Sequence, residues 1–358
     1  MKKSKKYYAV IMAGGVGSRF WPVSTPENPK QFHDMLGTGR SLIQLTFDRL
    51  SRLIPVENIL VATNERYRDL VMRHLPEISE NQVLLEPAMR NTAPCILYSS
   101  LKIKAVDEDA VMIVAPSDHF IEDEEEFLRN VEDAFEACLE SDLLMTLGIK
   151  PSGPNTGYGY IQFDQQGGTI KKVRNFTEKP DLETARQFLK QGDYLWNAGI
   201  FIWSVRSILK SFESNLPMMC KLMERGEKDW NTEREKAFIA KNYPDAENIS
   251  IDYGIMEKAG NVYVMATDFG WNDLGTWGSL YDKLDKDEQK NASVNAVALF
   301  RSSKGNMVST DKGKKVLIQG LEDFIIVDTN DTLMIFPKSQ EQVIKEVSKE
   351  AQAKFEGK

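Results

Sequence analysis

Three glycines, Gly14, Gly15 and Gly17, stand close together with Arg19 just behind them and Lys30 following Pro29. Glycine has no Cβ, so such a loop can adopt φ > 0 and bring backbone N–H groups close to a phosphate. Arginine and lysine supply the cations that a polyphosphate needs. The run 8–33, YAVIMAGGVGSRFWPVSTPENPKQFH, therefore points to a nucleotide site. Its spacing fits neither common nucleotide loop. A dinucleotide loop reads GxGxxG with an acidic residue about twenty positions on. A P-loop reads GxxxxGK[ST]. A glycine turn after a first strand also has a plainer use, which is to shape the turn.

Other strings place reactive side chains at the ends of apolar runs. In VMIVAPSDHF, Asp118 follows a buried strand and is placed to hold Mg²⁺ at a phosphate; the alternative is a cap or turn aspartate. In DFGWNDLGTW, Asp273 precedes a helix over 276–284, where capping is again the alternative. In FTEKP, the Glu178 carboxylate can accept from sugar hydroxyls and the Lys179 ammonium can meet a phosphate; the alternative is a solvated turn. In WNAGIFIW, Asn197 offers both a donor and an acceptor. Gly157 and Gly159 of NTGYGY either admit a sugar to the backbone or shape a turn. In LLEPAMRNTAPC, Asn91 and Thr92 form a natural N-cap pair ahead of a helix.

Taken together these strings resemble the signature of the sugar-nucleotide pyrophosphorylases, and FWP with PKQF resembles their mannose-1-phosphate guanylyltransferase branch. The likeness covers roughly residues 7–336 and is densest in motifs up to about 284. It implies GTP and mannose 1-phosphate as substrates and Mg²⁺ as cofactor. It makes Arg19 and Lys30 the catalytic cations. Nucleotide binding falls to Ala13, Gly14, Gly15, Gly17, Ser18 and Ser117, with Glu86, Pro87, Asn91 and Thr92 lining the base pocket. Glu178 takes the sugar and Lys179 its phosphate, with Gly157, Gly159 and Asn197 beside them. Asp118 and Asp273 become the metal ligands. Family members often have Ser where Ala198 stands, and no proposed contact depends on that position. The implied reaction is attack by the sugar-phosphate oxygen on the α-phosphorus of the triphosphate, with pyrophosphate leaving. The nucleophile is already an anion, so no general base is required, and no Ser/His/Asp or Cys/His set calls for a covalent intermediate.

The elements that must position these residues alternate in type. Strand-like runs at 8–12, 59–63, 82–86, 111–115 and 143–149 flank helical patterns at 42–53, 65–74, 92–106 and 124–140. Alternation of this kind predicts a mostly parallel sheet covered by helices, with ligands outside the strands' carboxyl ends. A hairpin is expected from 160–163 and 170–176 around a turn at 165–168. Helices at 182–191, 205–214 and 232–241 and a strand at 196–203 follow. From about 291 short strand-like runs recur without helices, as in a small β-domain or β-solenoid. A closing helix spans 340–355, with Val343, Val347, Ala351 and Phe355 on one stripe. The expected architecture is thus α/β, and with the resemblance it implies a Rossmann-like nucleotidyltransferase domain over 1–288 with a mixed, mostly parallel sheet, and a small β-rich, β-helix-like domain over 289–358.

The 358 residues have ordinary globular content, 42% hydrophobic and 27% charged. A formal net charge of −8 argues against nucleic acid as partner. Anionic substrates must then meet locally concentrated cations. The three cysteines, Cys95, Cys138 and Cys220, are scattered and read as reduced core thiols. The three histidines have no metal-ligand spacing. No run is long enough to cross a membrane and the N-terminal apolar stretch is short for a signal sequence. A cytoplasmic enzyme is expected, with a homodimer left open and no fused isomerase domain of cupin type. Two alternatives stand beside it: the same chemistry on another sugar phosphate or nucleotide, and a non-catalytic nucleotide-sugar sensor. The sensor would be expected to lack the charged set that is present here.

Overall fold

The computed structural model describes residues 3–166 and 168–356. Gly167, within the expected turn at 165–168, lies outside the described residues. The chain divides into two compact units. One comprises Met1–Gly14, Thr46–Ser117 and Ile121–Trp271; the other comprises Gly15–Leu45, Asp118–Phe120 and Asn272–Lys358.

The first unit is built on a nine-stranded sheet. Its strands are β1 (Tyr7–Met12), β2 (Ile59–Asn64), β3 (Val83–Glu86), β4 (Val111–Pro116), β5 (Leu144–Ile149), β6 (Tyr160–Phe163), β7 (Ile170–Thr177), β8 (Tyr194–Ser204) and β9 (Val262–Thr267), in the order β3-β2-β1-β4-β8-β5-β9-β7-β6. The β3-β2-β1-β4 half is parallel. Within it, β1, β2 and β4 are buried along nearly their whole length, which is why they read as unbroken apolar runs rather than alternating ones. β8 enters antiparallel to both β4 and β5, and β6 and β7 form the expected antiparallel pair. The sheet is therefore mixed. The helix Thr92–Lys104 is buried almost throughout, whereas Glu124–Glu140 buries only a stripe that includes Phe127, Val131 and Phe135.

Several elements of this unit escape the sequence reading, among them short 3-10 turns and the three that follow. β9 is a β-branched run, VYVMAT, that pairs parallel with β5. The helix Pro217–Glu224 starts with proline in its first turn, where the missing N–H costs nothing. A π-helical turn spans Asp252–Met256. The helix expected at 232–241 begins later, at Glu235–Asn242.

The second unit contains β10 (Ala292–Val294), β11 (Val297–Arg301), β12 (Met307–Ser309), β13 (Lys315–Gln319), β14 (Phe324–Asp328) and β15 (Leu333–Pro337). β10, β12 and β14 stack in parallel, so that Ala292 faces Met307 and Met307 faces Ile325. β11 and β13 stack in parallel beside them as a separate pair. Parallel rungs joined without helices make this a β-helix-like coil. Buried asparagines secure its corner: Asn306 Nδ2 donates to Asn291 Oδ1 at 3.0 Å, and Phe324 N donates to Asn306 Oδ1 at 3.0 Å. The core of the unit gathers Phe20 of the glycine-rich segment, Leu274 and Trp277, Ile325 and Val327, and Ile344. The closing helix runs Ile344–Glu356. Its expected apolar stripe is not the buried one: Val343, Val347 and Phe355 are exposed, while Ile344 and Ser348 are buried. A 3-10 stretch over Lys338–Val343 precedes the helix, so the α-helical phase starts only at Ile344.

Candidate active site

β1 delivers the chain to the glycine loop. At its end Ala13 N donates to Ala62 O at 2.8 Å, and the buried Thr63 hydroxyl donates to Ala13 O at 2.8 Å. A Cβ on Gly14 or Gly15 would meet nothing within 4 Å, so packing leaves the backbone there open to a ligand. Gly17 is different. It has φ +72°, and a Cβ would lie 2.5 Å from the Cβ of Lys30. Glycine is therefore required both for the left-handed turn and for the close approach of Lys30. Ser18 and Arg19 follow in a short 3-10 turn, Ser18–Phe20.

In the second unit Gly17, Ser18, Arg19 and Lys30 line a cavity of about 310 Å³ with Asp118, His119, Asp273 and Lys345, whereas Ala13, Gly14 and Gly15 are not in its lining. Lys30 is buried, yet its Nζ lies 3.0 Å from Asp118 Oδ2 and donates to the backbone carbonyl of Asp273 at 3.0 Å. Asp118 and Asp273 are distant in sequence. They meet because Phe120 and Asn272 exchange backbone hydrogen bonds of 2.8 and 3.0 Å in a two-residue antiparallel bridge. Neither aspartate caps a helix. Asp123 caps Glu124–Glu140, accepting from Glu126 N, and Thr276 caps Trp277–Lys283, accepting from Ser279 N. Burial would raise the Asp118 pKa, but the Lys30 ammonium, helped by His119, outweighs it and holds the carboxyl below its ordinary range. Arg19 is exposed and has no hydrogen bond or ion pair among the described residues.

Ser117 lies in the first unit and is buried. Its N–H donates to Met12 O at 3.0 Å and its carbonyl accepts from Thr46 Oγ1 at 3.2 Å, which fixes the end of β4. Glu86 ends β3 and accepts a hydrogen bond from the Tyr243 hydroxyl. Burial pushes its pKa up despite that bond and the Cys95 thiol. The capping expected of Asn91 and Thr92 is not what is found. Asn91 occupies the N-cap position with φ +65° but makes no side-chain cap bond. The Thr92 hydroxyl instead accepts from Ile251 N at 2.8 Å. Pro87 lines a cavity of about 370 Å³ beside the buried Lys102–Glu235 ion pair.

The sugar-site candidates also cluster in the first unit. A Cβ on Gly159 would lie 2.5 Å from Glu178 Oε2, so glycine makes room for that carboxylate. Glu178 pairs with Lys179 Nζ at 2.6 Å. Burial would lower the Lys179 pKa, but Glu178 reverses this and the net shift is upward. Gly157 N donates to Asn155 Oδ1 at 2.7 Å and so belongs to a turn. The Asn197 amide oxygen accepts from Thr146 Oγ1 and Gly199 N, each at 3.0 Å, and its nitrogen donates to Asp252 Oδ1 at 3.0 Å. One amide hydrogen remains for a ligand. Asp252, at the start of the π-helical turn, belongs to none of the strings that mark the site in sequence. Burial, then the nearby Glu178, pushes its pKa up to about 6. An acid set between apolar residues in ISIDYGIM is the signal that marks it. Asn91, Lys179 and Leu274, the last directly after Asp273, all hold φ values between +45° and +65°. Strained non-glycine backbone of this kind concentrates at functional sites.

Among the described residues no three metal-ligating side chains cluster. The two carboxylates in the second unit's cavity are instead the donor number that Mg²⁺ takes from protein when phosphate and water complete its shell.

Comparison with known proteins assigns the chain to its relatives. The family model for nucleotidyl transferases matches residues 8–290, and that for the MannoseP isomerase/GMP-like β-helix domain matches residues 296–350. The mannose-1-phosphate guanylyltransferase of Escherichia coli is 34% identical over 351 residues, covering 94% of this chain and 74% of that one. The alginate biosynthesis protein AlgA of Pseudomonas aeruginosa is 35% identical, covering 96% and 72%. A crystal structure described as mannose-1-phosphate geranyltransferase from Thermus thermophilus superposes with a TM-score of 0.87 at 30% identity, covering 97% of this chain and 99% of that one.

Proposed function

The chain belongs to the nucleotidyl transferase family, and on that premise we propose that it transfers GMP from GTP to mannose 1-phosphate, releasing pyrophosphate and forming GDP-mannose. The observation that carries this reading is the single cavity holding Arg19, Lys30, Asp118 and Asp273. The chemical difficulty is to bring two polyanions together, so positioning and charge neutralisation are the main catalytic tasks. Backbone N–H groups of Gly14, Gly15 and Gly17, with Ala13, Ser18 and Ser117, form the phosphate-binding loop and its support. Arg19 and Lys30 stabilise charge on the triphosphate and on the departing pyrophosphate. Lys30 is held in place by Asp118 and by the carbonyl of Asp273, so it need not reorganise as charge develops.

Glu178 and Asp252 accept from the sugar hydroxyls, and Lys179 neutralises the sugar phosphate. Asn197 orients Asp252 and keeps one donor for the sugar. Gly159 leaves the space that Glu178 occupies. Glu86, Pro87, Asn91 and Thr92 line the guanine pocket; the Thr92 hydroxyl accepts from Ile251 N and keeps its own O–H to donate, and the Asn91 side chain is not used as a helix cap. Asp118 and Asp273 would hold Mg²⁺, which when bound neutralises phosphate oxygens and fixes their geometry. No residue needs to remove a proton, because the attacking phosphate oxygen is already anionic. Among the described residues no helix is long and apolar enough to cross a membrane, in keeping with a cytoplasmic enzyme. Val297, Leu299 and Leu317, exposed on β11 and β13, favour a homodimer.

The test is pyrophosphate release by the purified protein with Mg²⁺, comparing GTP and mannose 1-phosphate with other pairs. Preference for this pair supports the reading. Preference for another pair keeps the chemistry and replaces the substrates. No release from folded, nucleotide-binding protein refutes it in favour of a sensor.

A further inference from the structure

The cavity that holds Arg19 and Lys30 has a third cation, Lys345, which belongs to none of the strings that mark the nucleotide site. It stands in the first turn of the closing helix Ile344–Glu356, far along the chain from the glycine loop. The segment around it is fastened on both sides. Just before it, Glu341 accepts from the N–H of Gly278 at the start of the helix Trp277–Lys283. A Cβ on Gly278 would lie 2.7 Å from Glu341 Oε2, so glycine is needed for that contact. Next to Lys345, Ile344 is buried in the core with Phe20, Leu274 and Trp277. These two anchors fix the backbone of Lys345 beside the segments that carry Arg19 and Asp273. The side chain itself is exposed and has no hydrogen bond or ion pair among the described residues.

The charge balance of the cavity shows what this lysine adds. Lys30 is committed to Asp118 and to the Asp273 carbonyl. Arg19 and Lys345 are the lining cations without a protein partner among the described residues. With His119 counted as neutral at pH 7, Arg19 and Lys30 alone would only balance the two aspartates and leave the lining without excess positive charge. Lys345 makes it net positive, as a site for a polyanion requires.

We propose that Lys345 binds the terminal phosphates of the nucleoside triphosphate, and equally the released pyrophosphate, so that the β-helix-like part of the chain supplies a ligand to the nucleotide phosphate site. The proposal rests on the function proposed above and adds a residue to it. It also gives the closing helix a task beyond packing: it carries a binding cation on a short, doubly anchored stem.

The test uses the full-length protein and three variants, Lys345→Met, Lys345→Arg and Lys349→Met. Lys349 is exposed one turn further along the same helix and does not line the cavity, so it controls for general loss of charge. Equilibrium binding of pyrophosphate and of GTP is measured in EDTA, and KM for GTP, pyrophosphate and mannose 1-phosphate is measured with Mg²⁺. Lys345→Met is expected to weaken pyrophosphate and GTP binding about tenfold, the scale of one hydrogen bond to a charged group. Lys345→Arg should restore binding to within about twofold, and Lys349→Met and the KM for mannose 1-phosphate should stay at wild-type values. Wild-type pyrophosphate and GTP binding by Lys345→Met overturns the proposal, as does an equal loss in Lys349→Met. If the wild-type protein turns over GTP and mannose 1-phosphate while Lys345→Met binds normally, only the role of Lys345 falls. If the wild-type protein binds neither pyrophosphate nor GTP, with Mg²⁺ or without it, both readings fall.

Discussion

Gly159→Ala separates the sugar half of the proposed site from the stability of the fold. The added Cβ would sit 2.5 Å from Glu178 Oε2 and 3.4 Å from the Asn197 Cβ. Gly159 is not among the residues with positive φ, so alanine introduces no backbone strain. The severe contact is with the far end of a flexible side chain, and Glu178 can relieve it by swinging aside. Folding stability should therefore change by less than about 1 kcal/mol, the usual range for a change that opens no cavity and strands no buried charge. The displaced carboxylate can no longer accept from a sugar hydroxyl. A hydrogen bond to a charged group is worth about 1.5–3 kcal/mol, which is about 10- to 150-fold in affinity. Pyrophosphate release with sugar phosphate varied at saturating GTP should show kcat/KM for mannose 1-phosphate falling by that factor. KM for GTP should stay within about twofold, and the urea midpoint should barely move. An unchanged sugar-phosphate kcat/KM in the folded variant would refute the assignment of Glu178. An equal loss toward both substrates would show that the damage is general.

Arg19→Ala and Asp118→Ala should each lower turnover on the order of 10²-fold or more, the cost of removing one preorganised charge-stabilising group; single-turnover rates near wild type in a folded variant would sink that role. Lys30→Met should cost both activity and stability, because it leaves the Asp118 carboxylate without its cation at 3.0 Å. With Asp118 partly open to solvent, about 1–3 kcal/mol is expected from chemical denaturation, and no loss would mean that the pair contributes nothing net. Asp252 titrates near 6 when folded, against 3.8 as its ordinary value, so the folded state binds the extra proton between about pH 4 and 6. Its contribution to stability is thus present at low pH and is lost as pH rises through 6, by about 3 kcal/mol at most. Asp252→Asn should then be more stable than wild type at pH 8 and not at pH 4, and a pH-independent difference in urea unfolding would contradict the shift. Removal of divalent metal with EDTA should abolish pyrophosphate release and leave the unfolding midpoint nearly unchanged, whereas full activity in EDTA would exclude Mg²⁺.

Most of the regular elements, and the residue types that could do chemistry at their ends, are legible along the chain. Short unbroken apolar runs such as 8–12 and 111–115 read as strands buried on both faces, as found, and glycines with basic residues after the first of them read as a tight turn or a phosphate loop. Those signals are local, because periodicity and backbone freedom are properties of neighbouring residues. What the tertiary structure alone decided is long-range. Asp118 and Asp273 share a cavity because Phe120 and Asn272 bridge, and no spacing along the chain encodes that pairing. The close packing of Gly17 on Lys30 and of Gly159 on Glu178 appears only when remote side chains arrive. Asp252 joins Asn197 and Glu178 through a π-helical turn that no periodicity in the sequence predicts. The closing helix makes the same point in reverse. Periodicity placed Val343, Val347 and Phe355 on one stripe, but that stripe is exposed and the buried anchor is Ile344, because packing against Phe20, Leu274 and Trp277 decides which face of the helix turns inward. With that face inward, Ile344 sits in the core and Lys345 stands at the cavity.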